Sequence, residues 1–265
     1  MSRLLPVAVR SLRDSWRGLL AWALGLTAAL ALYLPLFPSF GSNGSLEEII
    51  ATLPPELVDA LGYNQIGTGS GYAQATFFGL IGFALIVIAT TAWGASASGG
   101  AEENGRLELD LAHGIGRVAY VLESALAILV KLVALGIVIG VVVGILNGPS
   151  ELGLEASGII AATVALTGLG ALSAAAALVA GAVTGRRVAG VAAGAGLAVY
   201  GYALQAVANQ SEDLAWVERL SPYAWAYSQT PLESGFSWGI AAVWGTAIVF
   251  AGAAAFALRA RDITG

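Results

Sequence analysis

The sequence predicts an all-α, polytopic membrane protein with six transmembrane helices. Three observations carry that prediction. Apolar residues make up 57% of the 265 positions and charged residues only 11%, against about 25% charged in a soluble domain. Six apolar stretches are each long enough for the roughly 20 residues that a helix needs to cross a bilayer. Basic residues also fall almost wholly on alternate connecting segments, the pattern that the positive-inside rule produces with an even number of spans. The whole chain, 1–265, reads as one transmembrane domain.

The stretches lie at 18–37, 72–97, 121–146, 158–183, 188–208 and 236–258. The first ends at Pro35 and Pro38, which stop a helix. Ahead of it, Leu5, Ala8, Val9, Leu12 and Trp16 share one arc of a helical wheel, and Arg3, Arg10, Arg13 and Arg17 share the next. That pattern describes an amphipathic interfacial helix along the headgroups; the plainer reading is a basic flank that sets orientation. The 38–71 connection predicts a short helix around 46–61, interrupted at Pro54-Pro55. In 209–235, Trp216, Tyr223, Trp225 and Tyr227 crowd a nominal loop, which therefore reads as re-entrant amphipathic helices broken at Pro222. Gly136, Gly140, Gly144 and Gly148 recur every four residues, a small-residue ladder that lets helices approach closely. Gly190 and Gly194 mark a shorter contact of the same kind.

Orientation follows from charge. Ten of the twelve basic residues lie in the N-terminal arm, the second–third and fourth–fifth connections and the C-terminus, which places both termini in the cytoplasm. Only Arg219 lies on the opposite side, and Lys131 sits inside a span.

Several activities are excluded by counting. Twelve basic residues against seventeen acidic ones, with no dense basic patch, exclude nucleic acid as a partner. Without Cys there is no thiolate nucleophile and no Cys-ligated metal. A single His, His113, cannot build a His-Glu-x-x-His zinc site. A phosphate-cradling loop needs Gly followed by Lys, yet the only Lys, Lys131, follows Val130. The chain therefore reads as non-catalytic, with no metal and no cofactor of its own. Any nucleotide hydrolysis belongs to another polypeptide.

Two features invite function. Lys131 lies about 15 Å into the third stretch at helical rise, where an ammonium costs on the order of 2.5–3.5 kcal/mol to insert. It either faces a substrate path, together with Tyr200, Tyr202 and Gln205, or a dimer seam, or it partly snorkels to a buried carbonyl or amide such as that of Gln74 or Gln205. The second feature is 101–117, where Glu102, Glu103, Arg106, Glu108, Asp110 and Arg117 gather between two spans. Glu102 and Glu103 can support Arg106 at i+4 and i+3, and Leu107 and Leu111 share a face. The result is a short amphipathic piece suited to a partner's groove, or alternatively a solvated loop helix.

Three passages together resemble the permease subunits of ABC-2 type ABC transporters, in the broad class of drug and antibiotic exporters. They are Pro55-Glu-Leu-Val-Asp-Ala-Leu-Gly62, Glu102-Glu103-Asn-Gly-Arg106-Leu-Glu-Leu-Asp-Leu-Ala112 and Leu220-Ser-Pro-Tyr-Ala-Trp-Ala-Tyr-Ser-Gln-Thr-Pro-Leu232. Two departures stand out: His113-Gly-Ile-Gly-Arg117 keeps only the Arg of the usual Pro-Val-Ser-Arg, and Asp110 replaces an apolar residue. The resemblance implies a permease in a prokaryotic plasma membrane, paired with a second permease chain. It implies a cytoplasmic coupling helix (Glu102, Glu103, Arg106, Leu107, Glu108, Leu111 and Arg117) that docks a separate ATP-binding subunit, which holds ATP and Mg²⁺. The cargo would be apolar or amphipathic and moved outward. The rival reading is an ion-coupled secondary transporter using intramembrane Lys131 with Glu123.

Overall fold

The computed structural model describes residues 5–40, 52–54, 58 and 66–261. Every regular element among them is helical. Six helices are long and apolar enough to cross a membrane. We number the α-helices α1 (Pro6–Tyr33), α2 (Gly69–Ala97, with a π-helical section over Gln74–Ile81), α3 (Gly99–Glu103), α4 (Arg106–Ala112) and α5 (Arg117–Asn147). The numbering continues with α6 (Ala156–Thr184), α7 (Arg187–Ala208), α8 (Pro222–Tyr227), α9 (Pro231–Ser234) and α10 (Trp238–Ala260). A 3-10 segment, Glu212–Leu220, precedes α8.

Five of the six spans lie within a few residues of the apolar stretches, because desolvation selects the same residues in sequence and in space. The first differs. The arm over 5–17 is not a separate element: α1 runs unbroken from Pro6 to Tyr33. Its start is held by Glu123 of α5, whose Oε2 accepts from the backbone N–H groups of Val7 and Ala8 at 2.7 and 3.2 Å. Pro6 has no N–H to satisfy, and a carboxylate borrowed from another helix takes the next two orphan donors of this helix N-terminus. The long α-helix ends at Tyr33, two residues ahead of Pro35, as the prolines predict, but the chain does not leave helical geometry there. The chain tightens to a 3-10 turn over Leu34–Leu36 and then makes a further helical turn over Phe37–Phe40.

The axis of the bundle is α6, packed against α2, α5, α7 and α10. Its alanines, glycines and hydroxyl side chains leave little relief, and nearly all of its faces are buried. Thr163 and Thr167 return their hydroxyls to Ile159 O and Thr163 O, each four residues back, at 2.7 and 2.8 Å, so neither polar group is left unpaired. The close approach predicted at Gly194 is present: a Cβ there would lie 2.7 Å from Ser173 O and 2.8 Å from Thr91 Oγ1. The ladder on α5 is only half used. A Cβ at Gly136 would lie 3.1 Å from Thr167 Cγ2, whereas one at Gly144 or Gly148 would meet nothing within 4 Å.

Candidate functional site

At one end of the bundle α3 and α4 form a compact elbow. Gly105, at φ +66°, makes the corner, a left-handed conformation that costs glycine nothing. The corner separates Glu102 and Glu103 from Arg106, and the expected i+3 and i+4 support is absent. Each carboxylate serves elsewhere. Glu102 forms an ion pair with Arg261, beyond the end of α10. Glu103 Oε1 accepts from Arg187 N, the first residue of α7, at 2.9 Å. Arg106 makes one long contact, to Ser96 O at 3.5 Å.

Within α4 the inward stripe is Leu107, Asp110 and Leu111, and the outward stripe is Glu108, Leu109 and Ala112. Leu107 is 1% exposed and cannot meet a partner directly. It anchors the elbow to the bundle, as does partly buried Leu111. Arg117 also turns inward, donating to Arg261 O at 2.7 Å. Sequence reasoning missed Leu109, which is 61% exposed. Alternation along a seven-residue helix could have found it, had α4 been separated from α3.

Asp110 is the informative departure. It is buried, and both its oxygens accept from Arg10 of α1 (Nη1 to Oδ1 2.7 Å, Nη2 to Oδ2 2.5 Å). This fork-on-fork pair is the strongest geometry open to an ion pair. It clamps the elbow to the first span, while Glu102 clamps it to the last. His113 ends α4 with Nδ1 2.6 Å from Leu109 O, so the proton sits on Nδ1.

Behind the elbow lies a cavity of about 230 Å³ between α1, α2, α4 and α5. Arg10, Asp14 and Arg106 line it near the elbow, and Lys131 lines it deeper. Lys131 is 4% exposed. Neither Gln74 nor Gln205 reaches it; its Nζ instead lies 4.8 Å from the centre of the Trp93 ring, a cation–π contact.

The other members of the expected substrate path are not gathered here. Tyr200 is exposed on α7. Gln205 donates to Asn209 Oδ1 at 2.7 Å. Tyr202 belongs to an aromatic cluster at the opposite end, 5.3 Å from Tyr223 and 6.5 Å from Phe83. In that cluster α8 begins at Pro222, capped by Ser221 Oγ accepting from Ala224 N at 3.0 Å. Tyr223 and Tyr227 donate to Gly79 O and Phe78 O of the π-helical section at 2.9 and 3.1 Å. The wide turn leaves those carbonyls reachable. Burial pushes both hydroxyls well above the usual tyrosine range, so each donates as a neutral phenol.

Of the arm residues, Arg13, Trp16 and Arg17 are exposed, with Arg17 over the Trp16 ring at 5.3 Å. Arg3, the predicted 46–61 helix and most of Pro55–Gly62 lie outside the described residues. Compared with known proteins, the chain matches no protein-family model and no curated protein.

Proposed function

We propose that the chain is the membrane-spanning permease subunit of an ATP-driven exporter of the ABC-2 type, with ATP and Mg²⁺ held by a separate subunit. The observation that carries this reading is the elbow. It is braced by Arg10–Asp110 to the first span and by Glu102–Arg261 to the end of the last, while Glu108, Leu109 and Ala112 face outward. A force applied to that outward stripe passes through short polar links into two spans at once, which is what a motor's handle requires. The resemblance of 102–112 to a coupling helix points the same way. The arginine distribution supports both termini in the cytoplasm, and the resemblance points to a prokaryotic plasma membrane. A second permease chain would complete the translocation path, and lipid would surround it.

The ion-coupled alternative loses one of its two residues, because Glu123 already accepts from two backbone N–H groups. Purification of the tagged chain from its native host tests the proposal. An ATP-hydrolysing subunit is expected to co-purify with the wild type and to be lost with Leu109→Glu. ATP hydrolysis by the chain alone, or export that survives deletion of residues 102–112, would overturn it.

A further inference from the structure

We infer that the cavity behind the elbow is a binding site for the phosphodiester headgroup of an anionic amphiphile from the adjoining leaflet. The inference needs no assignment of transport; it stands on the lining alone. Three of the four surrounding helices supply most of that lining, and Arg106 of α4 completes it. On α5, Tyr120, Ser124, Ile128 and Lys131 form one stripe about 16 Å long at helical rise. On α1, Val7, Arg10, Ser11, Asp14 and Ser15 face it. Trp93 and Ser96 of α2 close the third side.

Lys131 is the independent sign of a ligand. The Lys131 side chain is 4% exposed, and its ammonium has no hydrogen-bond or ion-pair partner among the described residues; the Trp93 ring lies 4.8 Å from it. An enclosed ammonium that lines a polar cavity, with no carboxylate paired to it, is stabilised by an anion that reaches it. The other charges set which anion. Asp110 neutralises Arg10, and Glu123 is turned to the start of α1. Among the lining side chains, Lys131 and Arg106 are then opposed by the exposed carboxylate of Asp14, a formal net charge of about +1 for the lining. One negative charge fits that balance; a dianionic phosphate monoester does not.

Shape selects an amphiphile. At about 230 Å³ the cavity falls below the roughly 300–1,000 Å³ of pockets that engulf a drug-sized ligand. A headgroup fits, and its acyl chains stay outside along α1. Arginines at the membrane surface raise the local supply of anionic lipid, and Arg13 and Arg17 stand exposed on that helix.

The test is lipid titration of the full-length, detergent-solubilised chain, read by native mass spectrometry, with phosphatidylglycerol, phosphatidylcholine and inorganic phosphate as probes. Phosphatidylglycerol is expected to bind in preference to phosphatidylcholine. Lys131→Met is expected to weaken it about tenfold, the loss of one charge-assisted contact. Arg106→Gln is expected to weaken it about threefold by the same reasoning, and Arg219→Gln, at the opposite end, to leave it unchanged. Wild-type phosphatidylglycerol binding by Lys131→Met overturns the site. Should that variant fail to accumulate, unchanged binding by Arg106→Gln does the same, since Arg106 stands at the exposed mouth. Displacement of the lipid by inorganic phosphate at equal concentration would make the ligand a free anion and overturn the amphiphile. Loss of the ATPase partner in a separate experiment would leave all of these readings unaffected.

Discussion

The two ends of the bundle solve the same problem with opposite chemistry. At the elbow end, helices are joined by ionic and charge-assisted links: Arg10 to Asp110, Glu102 to Arg261, Glu123 to the start of α1 and Glu103 to the start of α7. At the other end, neutral phenols do the joining. Tyr223 and Tyr227 reach the carbonyls of α2, Tyr72 donates to Tyr33 O at 2.8 Å, and rings pack edge to face at 5.0–5.3 Å. Ionic links respond to salt and to an approaching charged partner, whereas buried hydroxyl-to-carbonyl links do not. One end is thereby sensitive to ionic conditions and the other is not.

The comparison breaks most readily at Arg10. Arg10→Ala strands the buried Asp110 carboxylate and is expected to cost about 3 kcal/mol, the low end for halving a buried pair. Asp110→Ala releases a half-exposed guanidinium to water and is expected to cost only about 1 kcal/mol. Thermal unfolding of the two variants in detergent measures that asymmetry, and equal losses would mean that burial of the carboxylate is not what matters. At the opposite end, Tyr227→Phe removes one buried donor and is expected to cost about 1 kcal/mol. Its deficit should hold from low to high salt, while that of Arg10→Ala changes.

A pH series sharpens the contrast. Burial raises Tyr223 and Tyr227 in the folded state, so the fold favours their protonated forms. Their contribution is complete below the unfolded tyrosine value of about 10 and is lost as pH climbs above it. The double variant Tyr223→Phe/Tyr227→Phe should lose less stability than the wild type between about pH 10 and 11, measured as unfolding midpoints. The smallest effect lies on the open half of the α5 ladder. Gly148→Ala should change stability by less than about 0.5 kcal/mol, while Gly194→Ala costs about 1–3 kcal/mol by overpacking.

The spans were legible because each is a local property: twenty apolar residues in a row need no partner to identify them. The elbow's position was legible for the same reason. Its internal geometry was not, because Gly105 divides it, and the rows Glu102–Arg106 and Leu107–Leu111 suggested one helix where two stand. The arm was misjudged in a similar way. Its arginine arc pointed to a helix lying on the surface, yet Glu123, 116 positions away from Val7, holds it in line with the first span. Lys131 was visible as an anomaly, but its expected amide partners lie elsewhere and Trp93 stands in their place.

By itself the sequence determined the all-helical class, the number of spans and the segment where charge collects, since each depends only on composition over a window as long as a bilayer is thick. Tertiary structure alone decided which charges meet. The partners of Asp110, Glu102 and Glu123 lie 100, 159 and about 115 positions away; no periodicity along one helix carries that distance, so only the packing of α5 and α10 on α6, and of α1 on α5, brings them together.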